Sequence, residues 1–364
     1  MKSNSLSSTA LTAAATVTLM LSLTACGASN ETSGDSSSSG LSGDLNGAGS
    51  TAQEAAMAAW KAGFQGDNSG VTVNYDPVGS GGGRESFLSG GVLFAGSDAY
   101  MDDEELTKAK ETCGGDPIEV PVYVSPIAVI YNLEGVDELQ LSPATLAQIF
   151  AGDITTWDDP AIAADNPDAT LPGDAITPVH RSDESGTTEN FTDYLSQAAE
   201  ADWSYGPVET WPVKGGEAAD GTSGVVSAVT EGSGTIGYAD ESQAGDLGQA
   251  TVKVGAEYVG ATAEAAAAIL DESSPVSGRA ETDLALDVNR TTEASGVYPI
   301  VLISYHITCT KYDTQEEADL VKAFETYVIS EDGQNAAAKE AGSAPITAAI
   351  RTKAQSAVDT ISAK

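Results

Sequence analysis

The stretch "AITPVHRSDESGTTENFTDYLSQAAEA", residues Ala175–Ala201, decides the fold class. Its first residues are typical of a strand, and the Ser-, Gly- and Thr-rich residues that follow are typical of a loop. Phe191, Tyr194 and Leu195 then recur at helical spacing and predict one apolar helix face. A strand, a loop and a helix in this order indicate an α/β fold.

The same alternation of strands and helices continues along the chain from Leu45. The segment "PIEVPVYVSPIAVIYNL" predicts strand, with Pro121 and Pro126 at edges or crossings because proline cannot donate to a sheet. Ser142 and Pro143 indicate a helix start. Further predicted strands are "VTVNYDPV", "VLFAGSDAY", "GTIGYAD" and "YPIVLISYHIT", and further helices are "GGRESFLSG" and "TQEEADLVKAFETYVIS". Residues 240–292 are Ala-rich and acidic and give only a weak assignment.

The chain is strongly acidic, with 16 Lys+Arg against 54 Asp+Glu and a formal net charge of -38 over 364 residues. Long-range repulsion therefore disfavours nucleic acid or an anionic membrane surface as a partner. An anionic ligand would need a local site that overcomes this field.

The N-terminus predicts export. The apolar segment "ALTAAATVTLMLSLTA" is too short for a bilayer span and is typical of a signal peptide, here residues 1–25. It ends in "LTAC", which matches the bacterial lipobox and predicts lipidation of Cys26; the alternative is an ordinary signal peptide that happens to hold a cysteine. Residues 26–44 are too polar to pack and predict a flexible tether. We therefore expect a protein anchored by lipid to the extracytoplasmic face of the cell membrane.

Two cysteines remain in the exported body, Cys113 and Cys309. In an oxidising compartment an even pair predicts a disulfide, although two separate buried thiols are the alternative. With His180 and His306 far apart in sequence, the spacing argues against a zinc site, and we expect no metal and no cofactor.

Four loops share one pattern, in which a predicted strand runs into glycine and hydroxyl residues before a helix begins. They are "GAGST" (Gly47–Thr51), "GSGGG" (Gly79–Gly83), "GSDA" (Gly96–Ala99) and "RSDESGTT" (Arg181–Thr188). A helix start leaves backbone N–H groups unpaired and carries partial positive charge, so it binds anions without a formal cation. If these loops converge, they would surround a small oxyanion with neutral donors and one arginine.

Each loop also has a purely local interpretation. Thr51 and Glu54 have capping-box spacing. "GSGGG" is compatible with a flexible turn, and "GSDA" with an Asx turn. Arg181 has potential surface partners in Asp183 and Glu184. Only the combination of the four loops, in this order, favours a binding site.

The ordered motifs resemble a known family. "LNGAGSTAQEAAMAAW", "VNYDPVGSGGGRESFLSG", "LFAGSDAYMDDEEL", "IFAGDITTWDDPAI", "VHRSDESGTTENFTDYL" and "GTIGYAD" are similar, in sequence order, to the phosphate-binding protein of the bacterial high-affinity phosphate ABC transporter. The resemblance covers most of the chain after the tether, and the lipobox suits the lipoprotein form of that family.

The resemblance implies an α/β, two-lobed periplasmic-binding-protein fold (Venus-flytrap, type II) with the ligand cleft between the lobes. It places lobe 1 at residues 45–123 plus 297–364 and lobe 2 at residues 124–296. It also implies a non-enzymatic protein that captures inorganic phosphate and delivers it to transmembrane permease subunits. The implied phosphate-binding positions are Thr51, the backbone at Ala52, Ser80, Asp98, Arg181, Ser185, Gly186 and Thr187.

This sequence departs from the family's pattern at two positions. Ala52 stands where well-known members have a bulkier residue, which matters if that side chain shields the ligand. Gly81 stands where some relatives carry a further serine donor.

Asp98 is the informative residue, because a carboxylate in an anion site should repel its ligand. An ionised carboxylate only accepts hydrogen bonds, and phosphate at neutral pH keeps at least one proton whereas sulfate has none. We therefore expect Asp98 to select phosphate over sulfate, with Arg181 pairing both with Asp98 and with a phosphate oxygen.

Three rival functions stay open on the sequence. A phosphate-ester hydrolase needs a metal cluster or an activated nucleophile, for which two isolated histidines give little support. The same fold could instead bind sulfate, molybdate or an organic phosphate. A surface lipoprotein used for adhesion or signalling is the third.

Overall fold

The computed structural model describes residues 40–364. The predicted signal peptide (residues 1–25), Cys26 and most of the predicted tether lie outside these residues. The first strand begins at Gly43, within the segment predicted as tether.

Helices and strands alternate along the described chain. The helices are α1 (Glu54–Asp67), α2 (Ser80–Leu88), α3 (Asp103–Cys113), α4 (Pro143–Ala151), α5 (Pro160–Asp165), α6 (Gly186–Ala198), α7 (Gly221–Glu231), α8 (Ala263–Ala267), α9 (Gln315–Ile329), α10 (Glu331–Ala341) and α11 (Ala348–Val358). The strands are β1 (Gly43–Gly49), β2 (Val71–Asp76), β3 (Phe94–Ser97), β4 (Pro117–Asn132), β5 (Gln140–Leu141), β6 (Thr177–Arg181), β7 (Glu217–Ala219), β8 (Thr235–Asp240), β9 (Gly248–Val254), β10 (Glu257–Val259), β11 (Ser274–Pro275), β12 (Leu286–Asp287), β13 (Val301–Cys309), β14 (Lys311–Tyr312) and β15 (Ser362–Ala363). Short 3-10 turns occupy Glu241–Gln243 and Ala268–Glu272.

The strand, loop and helix predicted for residues 175–201 are confirmed as β6 and α6. Phe191 and Leu195 are fully buried on the inner face of α6, as their spacing requires. The helix predicted from Ser142 is also present: Ser142 is its N-cap, and the Ser142 side chain accepts a hydrogen bond from the backbone N–H of Thr145.

The principal sheet has two halves joined by β4. Its strand order is β2-β1-β3-β13-β4-β8-β6-β7, with β9 pairing β4, β5 and β10. We call β2, β1, β3 and β13 the first half-sheet, and β8, β6 and β7 with β9, β10 and β5 the second half-sheet. Residues 117–126 of β4 pair with β13, whereas residues 127–132 pair with β8. One continuous strand therefore serves both halves.

The two prolines of β4 lie where the pairing is interrupted. Pro121 lies opposite Tyr305, beside a register shift between Ser304 and Tyr305. Pro126 is the last residue paired with β13 before β4 changes partner to β8 at Ile127. Proline lacks the N–H that a regular ladder requires, so a bulge and a crossing are positions where it is tolerated.

Parallel strands bring the predicted loops together. In the first half-sheet β1 runs parallel to β2 and β3, and in the second β6 runs parallel to β7 and β8. Loops that follow parallel strands lie at the same edge of a sheet, where α/β proteins bind their ligands. The Gly- and Ser-rich loops follow β1, β2, β3 and β6 at such edges.

A disulfide joins Cys113, at the end of α3, to Cys309, at the end of β13, with 5.2 Å between the Cα atoms. The structure thus contains the disulfide predicted from the sequence. None of the helices within residues 40–364 has the length and apolar character to cross a membrane.

Candidate functional site

Asp98 follows β3 and lies at the centre of the candidate site. Its carboxylate is buried, and hydroxyl groups donate to both of its oxygens: Ser50 Oγ to Oδ2 at 2.5 Å and Ser304 Oγ to Oδ1 at 2.6 Å. Thr187 Oγ1 lies 3.5 Å from Oδ2 and also donates to it. Because all three partners are donors, the surroundings suit a carboxylate that only accepts hydrogen bonds.

Burial and the neighbours of Asp98 shift its pKa in opposite directions. Burial raises the pKa of Asp98 above its ordinary value, while the hydroxyls of Ser304 and Ser50 and the positive charge of Arg181 lower it. The side chain of Asp98 does not form the Asx turn that the sequence also allowed. Its carboxylate accepts hydrogen bonds from residues distant in sequence and not from a backbone N–H of its own loop.

Ser80, Gly186 and Thr187 meet around Asp98. The backbone N–H of Asp98 donates to Ser80 Oγ at 3.1 Å, which leaves the serine hydrogen for another acceptor. A Cβ atom built on Gly186 would lie only 2.7 Å from Ser80 Oγ, so this close approach requires glycine.

The start of α6 supplies free donors. Ser185 is the N-cap residue, and its Oγ accepts from the backbone N–H of Thr188 at 3.2 Å. Within residues 40–364 we find no protein acceptor for the backbone N–H groups of Gly186 and Thr187. Unpaired N–H groups at a helix N-terminus attract an anion.

Arg181 ends β6 and is buried, with 2% of its surface exposed. Its guanidinium binds both carboxylate oxygens of Asp183, with Nε 2.7 Å from Oδ1 and a shorter contact from Nη2 to Oδ2. The direct pair with Asp98 that we expected from the sequence is not formed, because Asp183 takes this face of the guanidinium. Burial alone would raise the pKa of Asp183, but the hydrogen bonds and charge of Arg181 bring it below its ordinary value.

Thr51 bridges the two half-sheets and does not cap α1. Its Oγ1 lies 3.0 Å from Thr222 Oγ1 and accepts from the backbone N–H of Thr222 at 3.1 Å. Thr222 in turn accepts from Arg181 Nη1 at 3.4 Å. α1 has no side-chain cap, and the hydroxyl of Ser50 instead accepts from the N–H groups of Ala52 and Gln53, at 3.0 and 3.4 Å, in the turn that precedes the helix.

The structure therefore brings all eight sequence-predicted residues into one connected region. Thr51, Ala52, Ser80 and Asp98 come from loops of the first half-sheet, whereas Arg181, Ser185, Gly186 and Thr187 come from the loop that follows β6. A cavity of about 110 Å³ adjoins the region, and Asp98 is the one predicted residue that lines it.

A second contact joins the two halves beside this region. Arg84, buried on α2, donates to both carboxylate oxygens of Glu209 at 2.9 and 2.6 Å, and to Glu105 at 2.8 Å. Burial and the neighbouring Glu209 carboxylate raise the pKa of Glu189 to about 8. The guanidinium of Arg84 thus lies beside two carboxyl groups from the other half of the molecule: it pairs directly with Glu209, and its charge also acts on Glu189.

Sequence reasoning missed Ser50, Ser304 and Thr222. Ser304, His306 and Thr308 stand at every second position of a buried strand whose other residues are mostly apolar, and this period of polar residues was a usable signal. Thr222 belongs to "DGTSG", residues 220–224, which has the same glycine–hydroxyl helix start as the four loops considered.

Comparison with known proteins identifies the family. The family model described as "PBP superfamily domain" matches residues 31–332. Phosphate-binding protein PstS3 of Mycobacterium bovis (strain BCG) is 37% identical over 319 residues, covering 84% of this chain and 86% of that protein. Phosphate-binding protein PstS2 of the same strain is 35% identical over 359 residues, covering 94% and 95%. The chain belongs to the PBP superfamily, in the family of the PstS phosphate-binding proteins.

A solved structure shows the same fold. The high-affinity periplasmic phosphate-binding protein PfluDING, bound with phosphate, superposes with a TM-score of 0.71 at 24% identity and covers 86% of this chain and 93% of that one. The two-lobed α/β fold expected from the resemblance is thereby confirmed.

Of the two departures from the family pattern, Gly81 has a steric explanation in the structure, whereas the structure does not explain the small residue at position 52. Ala52 is fully buried, directly after the two residues that contact Asp98 and Thr222. A Cβ atom on Gly81 would lie 2.6 Å from the Cβ of Glu184, so a serine at this position would require Glu184 to move.

Proposed function

We propose that this protein captures inorganic phosphate between its two lobes and delivers it to the permease subunits of an ABC transporter. The observation that carries the proposal is the surroundings of Asp98, a buried carboxylate that receives only donors and lies beside the free N–H groups of α6. Relatives at 37% and 35% identity bear the name phosphate-binding protein, which supports the same ligand.

The proposed binding residues divide by chemistry. Thr51, Ser80 and Ser185 offer hydroxyl groups, the backbone of Gly186 and Thr187 offers unpaired N–H groups, and Arg181 offers a guanidinium. The backbone N–H of Ala52, which donates to Ser50, and the hydroxyl of Thr187, which donates to Asp98, would turn to the ligand on binding. Asp183 holds Arg181 through two contacts and so orients it. Arg181 then offsets ligand charge while most donors stay neutral.

Asp98 provides the selectivity for phosphate over sulfate. A tetrahedral oxyanion that keeps a proton can donate it to this carboxylate in a charge-assisted hydrogen bond. Sulfate has no proton, so two acceptors would face each other in a desolvated site, at a cost of roughly several kcal/mol. The site would discriminate by protonation, because both anions have the same shape.

Closure completes the site. Thr51 with Thr222 and Arg84 with Glu209 form contacts between the two half-sheets. A ligand that touches loops from both halves stabilises the closed state by the difference between its contacts in the closed and open states. The permease would then recognise the closed body.

We further propose lobe 1 at residues 45–123 plus 297–364 and lobe 2 at residues 124–296. The change of partner along β4 between Pro126 and Ile127 supports the first crossing. We also propose that Cys26 carries the lipid that holds the protein on the extracytoplasmic face of the membrane.

The proposal is tested by uptake of labelled phosphate in cells that lack the gene. Restoring the wild-type gene should restore uptake at low phosphate concentration, whereas Cys26→Ser should leave binding intact but release the protein from the membrane fraction. Unaltered uptake in the deletion strain would contradict a transport role and favour adhesion or signalling.

A separate assay tests the alternative that the protein is a phosphate-ester hydrolase. The purified protein is incubated with p-nitrophenyl phosphate, and we expect no turnover above the uncatalysed rate. Repeated turnover that depends on the protein would overturn the non-enzymatic assignment.

A further inference from the structure

A chain of buried polar groups runs from the body of the first half-sheet to Asp98. It consists of Glu325 on α9, His306 and Ser304 on β13, and Gln53 before α1; all four are fully buried. Ser304 donates to Asp98 Oδ1 at 2.6 Å and so joins the chain to the candidate site. None of the other three belongs to the proposed phosphate contacts.

The orientation of the Gln53 amide is determined by its neighbours. Its Nε2 lies 3.1 Å from the carbonyl oxygen of Tyr305 and 2.7 Å from Ser304 Oγ. A carbonyl oxygen only accepts, so a flipped amide would place two acceptors against each other. Nε2 therefore faces Tyr305 and Ser304, and Oε1 faces His306.

His306 must donate to Gln53. Its Nε2 lies 3.2 Å from Gln53 Oε1, which can only accept, so Nε2 carries a hydrogen. Its Nδ1 lies 3.1 and 3.0 Å from the two carboxylate oxygens of Glu325, and one hydrogen is shared there. Glu325 thus fixes the ring, and the ring fixes the amide.

The consequence reaches Asp98 through Ser304. Because Ser304 Oγ accepts from Gln53 Nε2, its own hydrogen is directed to Asp98 Oδ1. A carboxylate that receives this hydrogen is held as an acceptor and does not itself have to carry a proton. The hydroxyl of Ser304 thereby stabilises the ionised form of Asp98, which is the form that selects the ligand.

We propose that Glu325, His306, Gln53 and Ser304 form a relay that keeps Asp98 a hydrogen-bond acceptor and so sets the preference for a protonated oxyanion over an unprotonated one. His306 is a positioning residue, because it acts through Gln53 and Ser304 and does not touch the ligand. The inference rests on the proposed phosphate function and adds residues that determine its selectivity.

The test compares three variants of the full-length protein. His306→Leu removes the Nε2 donor, whereas His306→Gln can place an amide donor at the same position. The control is Phe324→Leu. The ring of Phe324 stacks on that of His306, with 6.1 Å between the ring centroids, but takes no part in the relay. Each variant is titrated by calorimetry with inorganic phosphate and with sulfate, and its melting temperature is measured.

We expect His306→Leu to lower the phosphate-to-sulfate affinity ratio by about three- to tenfold, the size of one hydrogen bond. His306→Gln should recover most of the ratio, and Phe324→Leu should lower the melting temperature while keeping the ratio. An unchanged ratio in folded His306→Leu, or an equal loss in Phe324→Leu, overturns the relay while leaving phosphate binding by the wild type in place.

A second measurement keeps the relay testable if His306→Leu does not fold. Nitrogen-15 NMR of the wild-type imidazole reports which ring nitrogen carries hydrogen. We expect a hydrogen on Nε2 of His306; a ring without one there contradicts the relay. Failure of the wild type to bind phosphate is a separate result, and it would count against the proposed function.

Discussion

Replacing Asp98 with asparagine keeps the shape of the side chain but removes its charge and turns one of its two acceptor oxygens into an amide donor. In the folded protein its oxygens accept from Ser50 and Ser304 at 2.5 and 2.6 Å, so an Asn amide nitrogen would face one of these hydroxyls, which would have to turn. The proton of bound phosphate would lose its carboxylate partner. A hydrogen bond to a charged group contributes about 1.5–3 kcal/mol, so phosphate should bind roughly 10- to 150-fold more weakly.

Sulfate should respond in the opposite direction. Asp98→Asn removes the acceptor that repels it, so its affinity should stay the same or rise, and the phosphate-to-sulfate ratio should fall by at least the loss for phosphate. Calorimetric titration with each anion measures both constants, and circular dichroism confirms that the variant is folded.

Glu119→Gln is the matched control, because Glu119 is also a buried carboxylate but accepts from the backbone N–H of Met101, pairs with Arg279 and belongs to none of the predicted loops. It should leave the affinity ratio unchanged. Unaltered affinity and unaltered selectivity in Asp98→Asn would refute selection by this carboxylate.

Three further predictions concern closure, pH and the disulfide. Arg84→Met removes the paired contacts with Glu209 and should speed phosphate release about tenfold, as measured by stopped-flow dissociation. Burial raises the pKa of Asp240 to about 7, so the folded state binds its proton more tightly than the unfolded state does. This stabilisation is complete below about pH 4 and is lost as pH rises through about 7, at up to about 1.4 kcal/mol per unit; urea unfolding of wild type against Asp240→Asn should show the difference. Reducing Cys113–Cys309, which are 196 residues apart, should cost about 2–4 kcal/mol, and an unchanged melting temperature would contradict this.

Local patterns in the sequence were sufficient to predict most of the elements that position the site. The strand–loop–helix of residues 175–201 depends on spacing within one short segment, and so does the start of α4 at Ser142. The four glycine–hydroxyl segments could be recognised individually because each follows a predicted strand and lies at or shortly before a helix start; residues 80–83 of the second segment already belong to α2. Their convergence could be expected from the family resemblance but not from any one loop.

The side-chain partners in the site could not be predicted from local sequence patterns. Arg181 was expected to pair with Asp98, but the nearer Asp183 binds the same guanidinium. Ser304 reaches Asp98 from a strand 206 residues away in sequence, and this contact exists only because β13 pairs with β3. Such partners depend on strand pairing, which hydrophobic periodicity does not specify.

The most direct test of the central claim is a calorimetric titration of the wild-type protein with phosphate, repeated in excess sulfate. Bound ligand is first removed by unfolding and refolding with the disulfide intact. We predict one-to-one phosphate binding that excess sulfate does not displace. Folded protein that gives no binding heat with phosphate, or that sulfate competes for equally, would contradict a phosphate site built around Asp98.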